Sequence, residues 1–330
     1  MDFERFKKTQ SRVLKLLENS YQKNRLVHAY LFEGAKGTLK LDAAYYLASL
    51  LFCKGDNKPC MECSECKRIL KGEHPRIYRV APSGETIRKD QIDDLIYEFS
   101  RVGLEEGVRV YIIEDIDKAT PSAANSLLKF IEESKEGIYG IMTTDNLSNV
   151  LSTIRSRSQI VSFFKVKEED LISDYMDKGL DRETSKILST ITNDTKEGFD
   201  LYNEGKIIDI ITLVKEVNRA ISSLSNPYVA FYKNNKVLTE DWSNKKYHQI
   251  FLDLLITITN DRIYKLLGQD EKIVFCDEID EYDVDADYKK IFKQVDTMVR
   301  FKERLRYNVN LETMYVEMFI EVCKWLELLE

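Results

Sequence analysis

Five short apolar runs recur through the first 165 residues, at 29–32, 77–80, 108–113, 138–143 and 159–163, with helical periodicity between them. This alternation constrains the fold more than any other feature, because parallel strands need long crossovers and the crossover helices must cover both faces of the sheet. One predicted helix sets Leu41, Ala44, Tyr45, Ala48 and Phe52 on a single face. A second opens with Thr120 as N-cap and Pro121 at the first helical position, then aligns Ala123, Ala124, Leu127, Leu128 and Ile131. Beyond residue 165 strand signals vanish, and helical patterns run over 208–222, 247–267 and 288–305. The stretch 168–202 is polar and helical, with a break at Asn193-Asp194-Thr195. The pattern predicts an α/β domain over 1–165, a small helical unit over 166–205 and an all-α domain over 206–330.

Composition removes several classes. The longest apolar runs, such as 47–52, fall far short of the 18 or more residues that span a bilayer. The start, Met1-Asp2-Phe3-Glu4-Arg5, lacks the basic and apolar regions of a secretory signal, so a cytoplasmic protein is expected. A formal net charge of -7 means that any nucleic-acid contact must be local or shared. The acidic residues Asp277, Glu278, Asp280, Glu281, Asp283, Asp285 and Asp287 resemble the start of a calcium loop. Counted from Asp283, however, Tyr288 takes the place of the turn glycine and Gln294 that of the bidentate Glu, so the run reads as a solvated loop.

Four of the six cysteines, Cys53, Cys60, Cys63 and Cys66, fall within fourteen residues. In a reducing compartment such a group reads as metal ligands, and four thiolates suit a closed, tetrahedral, structural zinc site. Iron-sulfur ligation and redox thiols are the alternatives. His74, before Pro75, reads as a structural residue in a turn, and Cys276 and Cys323 as ordinary core or boundary residues.

After the first strand comes Gly34-Ala35-Lys36-Gly37-Thr38-Leu39-Lys40-Leu41, in the strand-loop-helix setting of a phosphate loop. A working loop has Gly before the lysine and Ser or Thr after it, to admit phosphate to the backbone N–H groups and to ligate magnesium. Leu39 and Leu41 take those places, so Gly34, Gly37 and Lys40 form a degenerate loop. The third strand ends in Glu114-Asp115, the reverse of the acidic pair expected there for magnesium and water activation. ATP binding and intrinsic ATPase activity are accordingly not expected.

The decisive set is distributed along the chain: 28–34 (His-Ala-Tyr-Leu-Phe-Glu-Gly), the four cysteines, His74-Pro75, 122–133 (Ser-Ala-Ala-Asn-Ser-Leu-Leu-Lys-Phe-Ile-Glu-Glu), Thr143-Thr144-Asp145-Asn146, 151–159 around Arg155-Ser156-Arg157-Ser158, and 305–312. Together these closely resemble the delta-prime family of bacterial DNA polymerase III clamp-loader subunits, over nearly the whole chain. The resemblance implies an AAA+ module with a zinc-binding insert at 53–66, a helical lid and a C-terminal collar domain. It also implies that the subunit does not hydrolyse ATP but presents the arginine of a Ser-Arg-Cys motif, here Ser156-Arg157-Ser158, to the ATP site of a neighbouring motor subunit. Ser158 departs from the usual Cys. Thr144 resembles the family's first sensor, and Gly198 stands where ATP-binding relatives carry a basic second-sensor residue. Implied partners are the gamma/tau and delta subunits, with the sliding clamp and primer-template DNA reached through the assembly and no membrane involved. Two other readings are an active gamma/tau-type ATPase, which needs the residues replaced by Leu39 and Leu41, and a stand-alone zinc-containing nucleic-acid-binding protein, which needs a basic, aromatic-interleaved surface.

Overall fold

The computed structural model describes the chain except residues 102–106, 224, 241–243, 282–286, 308 and 328–330. It divides into two compact units, Met1–Lys167 and Glu168–Glu330.

In the first unit the elements run α1 (Phe3–Thr9), α2 (Ser11–Gln22), β1 (Ala29–Glu33), α3 (Lys40–Phe52), α4 (Ser64–Lys71), β2 (Ile77–Val80), α5 (Lys89–Arg101), β3 (Arg109–Ile113), α6 (Pro121–Glu132), β4 (Ile138–Thr144), α7 (Ser152–Arg157) and β5 (Gln159–Ser162). The five strands pair in parallel in the order β2-β3-β4-β1-β5, giving the expected α/β module. Strand alternation divides the core into two layers. Tyr30, Phe32, Val110, Ile112 and Ile141 face α1, α2 and α3, whereas Leu31, Tyr111, Ile113 and Met142 face α5, α6 and α7. Both faces are therefore covered, which explains why the strands read as continuous apolar runs. Thr120 accepts the Ala123 N–H at 3.3 Å ahead of Pro121, and so caps α6 in the predicted manner.

The helix over 40–52 differs from its one-faced prediction. Ala43, Tyr46, Leu47 and Leu50 are buried together with Ala44, Tyr45 and Ala48, because α1 and α2 cover the side away from the sheet. Phe3 and Phe6 lie 5.6 and 5.4 Å from the Tyr46 ring, and Glu18 accepts the Tyr46 hydroxyl at 2.6 Å. Gln10 joins this N-terminal pair of helices to the exit of β5, donating to the Phe164 carbonyl at 2.7 Å.

The second unit contains α8 (Glu168–Asp177), α9 (Arg182–Ile191), α10 (Thr195–Asn203), α11 (Lys206–Ser222), α12 (Pro227–Asn234), α13 (Lys236–Thr239), α14 (Lys245–Leu266), α15 (Tyr288–Arg304) and α16 (Leu311–Glu327), with no strand among the described residues. Asp194 makes the predicted break a helix start, accepting the Lys196 N–H at 2.9 Å. Gly198 is buried on α10, where a Cβ would lie 1.9 Å from the Tyr175 hydroxyl oxygen. No longer side chain fits there without displacing that ring. Gly198→Ala should cost about 1–3 kcal/mol by overpacking, read as a fall of several degrees in the thermal midpoint of the full chain; an unchanged midpoint would show that Tyr175 yields freely.

The acidic run is not uniformly solvated. Glu278 is buried and pairs with Arg219 at 2.9 Å and Lys215 at 3.5 Å, since a carboxylate withdrawn from water needs cationic partners. Residues 282–286, including Asp283 and Asp285, lie outside the described residues. Nearby, Asp261 accepts from the Phe275 N–H at 2.8 Å and the Val274 N–H at 3.1 Å. Burial nevertheless dominates and raises its carboxyl to about 6, against those two N–H bonds and the charge of Lys186. A carboxyl raised above its unfolded value stabilises the fold at low pH, and that contribution is lost as pH rises through the folded value. Between pH 4 and pH 7 the parent should lose about 2–3 kcal/mol more stability than Asp261→Asn. Urea unfolding of both chains at the two pH values checks this; parallel pH profiles would contradict it.

Candidate functional site

The degenerate loop follows β1 at the carboxyl end of the sheet, the end at which parallel α/β sheets place their ligands. Gly34 lies so close to the chain leaving β5 that a Cβ would meet the Phe163 Cβ and carbonyl oxygen at 2.9 Å, so only glycine fits. Leu39, which replaces the loop glycine, has φ +67°, the left-handed conformation that glycine would adopt without cost. Lys40 is only 7% exposed. Its ammonium donates to the Gly34 carbonyl at 2.7 Å, the Ala35 carbonyl at 2.8 Å and Asp145 Oδ1 at 2.7 Å. The charge that phosphate would meet in a working loop is thus matched by an internal carboxylate. Leu41 presents no hydroxyl for a metal.

The other loop-end residues are also committed. Glu114 hydrogen-bonds Arg79, and Asp115 pairs with Lys118 at 2.7 Å, which raises the affinity of that lysine for its proton. Thr144 donates to Asp117 Oδ1 at 2.7 Å and accepts the Asn146 N–H at 3.0 Å. The structure therefore gathers Gly34, Lys40 and the β4 end around Asp145 and directs Glu114 and Asp115 to separate cations. The roles of Asp145 and Asp117 escaped sequence reading; the one available signal was the position of Asp145 directly after a strand end.

The thiolate cluster is built by two helix ends. Cys53 is the C-cap of α3, and Cys63 is the N-cap of α4, with Cys66 in the first turn. The ligand atoms of Cys53, Cys60, Cys63 and Cys66 lie within 4.8 Å of one another. A tetrahedral ion with bonds of about 2.3 Å would separate its sulfurs by about 3.8 Å, so small adjustments bring all four to one metal such as zinc. Backbone N–H groups point at the sulfurs: Gly55 and Cys60 donate to Cys53 at 3.4 and 3.3 Å, Cys63 to Cys60 at 3.4 Å and Cys66 to Cys63 at 3.5 Å. Such donors favour the thiolate. Those from Cys66 and Lys54 lower Cys63 to about 6, and those from Glu62 and Cys63 lower Cys60, whereas burial pushes Cys66 up. His74 is not in the cluster. Its ring packs tilted against Phe52, with centroids 4.1 Å apart, and meets Glu65 at 3.1 Å, with burial holding it below the usual imidazole range; Glu65 in turn pairs with Lys54 at 2.8 Å. Cys276 and Cys323 are each half-buried, in the second unit.

Arg157 lies elsewhere on the module, as the last residue of α7. Its side chain is 40% exposed and pairs with Glu132 at 2.6 Å. The hydroxyls of Ser156 and Ser158 donate back to the carbonyls of Thr153 and Ile154, at 3.0 and 2.9 Å. Arg155 reaches the Leu147 carbonyl at 3.5 Å. Among the described residues, no helix is long and apolar enough to cross a membrane.

Two solved structures align along nearly all of the chain: a DNA polymerase III gamma subunit-related protein from Thermotoga maritima (19% identity, TM-score 0.43, 94% of this chain and 99% of that one) and the Bacillus subtilis DNA clamp loader delta protein (8% identity, TM-score 0.35, 94% and 99%). Residues 9–167 match the family model described as DNA polymerase III, delta subunit. The tau subunit of Bacillus subtilis DNA polymerase III is 30% identical, over 54% of this chain and 32% of its own length. The delta-prime subunit of the same organism is 33% identical over 315 residues, 92% of this chain and 93% of its own length. With agreement of that extent through both units, the chain belongs to the delta-prime family of DNA polymerase III subunits.

Proposed function

We propose that this chain is a non-hydrolysing clamp-loader subunit, acting in the cytoplasm with gamma/tau motor subunits and delta to load the sliding clamp on primed DNA. In this reading residues 1–165 are the AAA+ module, 166–205 its lid and 206–330 a collar that joins the other subunits. One zinc held by Cys53, Cys60, Cys63 and Cys66 fixes the insert, and Arg157 reaches the ATP of a neighbouring motor. The observation that carries the proposal is the extent of similarity: it continues through the helical half in the delta-prime relative and covers only 54% of this chain in tau. The arrangement at Lys40 supports the absence of hydrolysis, since Asp145 answers its charge and the residues for magnesium are missing.

Arg157 suits the role assigned to it. A planar guanidinium offers two parallel donors to phosphate oxygens, and it stabilises the charge spread over a transferring phosphoryl group without itself reacting. The test is ATP binding and hydrolysis by the purified chain alone, followed by addition of motor and delta subunits with clamp and primed DNA. No binding or turnover alone, with incorporation into an active complex, is the expected result. Robust turnover by the isolated chain would overturn the proposal in favour of a motor subunit, and tight, salt-dependent DNA binding without any assembly would favour a stand-alone nucleic-acid-binding protein.

A further inference from the structure

The guanidinium of Arg157 is turned onto the chain's own surface. Its Nε lies 2.6 Å from Glu132 Oε1, and its Nη1 donates to the Thr153 carbonyl at 3.2 Å and to Ser156 Oγ at 3.4 Å. Glu132 is the final residue of α6, where the helix dipole disfavours an anion, so its carboxylate gains from a cation placed beside it. The pair spans two helices that pack together, α6 from the third crossover and α7 from the fourth. Its partners are 40% and 44% exposed, unlike Lys40 in the loop at 7%.

We infer that Glu132 is a positioning residue for Arg157: it holds the guanidinium parked along α7 until a more highly charged anion, the phosphate group of a neighbour's nucleotide, competes for it. The inference rests on the finger reading of Arg157 and adds the device that governs its availability. Three observations support release rather than permanent capture. The closest approach to Glu132 runs through Nε while Nη1 is turned to Thr153 and Ser156, so the two terminal nitrogens of the fork are not aimed together at the carboxylate. Both groups already touch water, so separation leaves neither charge buried without a partner. The remaining contacts, to Thr153 and Ser156, come from α7 itself and leave the arginine no second anionic anchor among the ion pairs of the described residues.

The test uses the full chain in a complex reconstituted with motor and delta subunits, clamp and primed DNA, with ATP as the probe. Glu132→Gln keeps the shape and removes the charge; Glu132→Asp keeps the charge. With parking relieved, Glu132→Gln should raise kcat/KM for ATP about two- to fivefold, the range expected for an exposed ion pair, and added salt should shrink the difference. Glu132→Asp should stay near the parent, and in the Arg157→Ala background Glu132→Gln should have no effect. An unchanged or lowered kcat/KM, or the same change in both backgrounds, would overturn the inference. If Arg157→Ala slows turnover while Glu132→Gln does nothing, only the parking role fails; if Arg157→Ala leaves turnover intact, the finger reading fails and the inference goes with it.

Discussion

On the proposed finger role, Arg157→Ala is expected to slow hydrolysis about 10³-fold at a neighbouring motor subunit's ATP site, a loss within the range for an arginine supplied in trans. Complex assembly should be unaffected, because the side chain is 40% exposed and its loss opens no cavity in either core layer. The partial reactions then separate. Nucleotide should still bind to the neighbouring motor, whose own loop holds the phosphates, while the chemical step slows. Arg157→Lys should recover only part of the rate, since an ammonium keeps the charge without the planar fork. Single-turnover hydrolysis in the reconstituted complex measures this directly. A rate within twofold of the parent for Arg157→Ala would refute the assignment.

Cys66→Ser is expected to reduce bound zinc from about one per chain to well under a tenth, by removing a ligand from a closed four-thiolate shell. Cys66 is the most buried of the four, fully covered at the start of α4, so a serine there cannot recruit solvent easily as a replacement ligand. The consequence should be local. Ligands from the α3 end and the α4 start would hold an insert with little apolar content between 54 and 65, of which Met61 packs against the core shared by the sheet and α3. Metal analysis and limited proteolysis check this: the variant should be cut within 53–66 while the remainder of the module resists, and chelation of the parent should produce the same pattern reversibly. Full metal content in Cys66→Ser, or a cluster that stays protease-resistant after chelation, would contradict a structural metal.

The backbone of the α/β module was legible in the residues because both faces of a parallel sheet are covered, and each strand then becomes an apolar run that needs no knowledge of its neighbours. The Thr120-Pro121 start of α6 and the Asp194 start of α10 are equally local, since a cap and the N–H that it satisfies lie within three residues. The cysteine spacing belongs to the same class: four ligands within fourteen residues can hardly avoid one another. The α1 and α2 helices had a similar signal, with Phe3, Phe6, Val13 and Leu17 at helical spacing, but only their packing shows that α3 is buried on every side.

Partner identity was decided by tertiary structure. The sequence presents Lys40 as a phosphate-loop lysine, yet its counter-ion comes from Asp145, 105 residues away, because β4 lies beside β1 in the sheet. It presents Arg157 as the arginine of a Ser-Arg-Ser motif with no partner in its own segment, yet the packing of α7 on α6 supplies Glu132. It presents Glu278 as one acid in a solvated run, yet α11 brings Arg219 and Lys215 to it. Periodicity and caps report what a residue does within its own helix or strand. The crossovers choose which distant charge stands opposite, and in this chain they set Asp145 beside Lys40 and Glu132 beside Arg157.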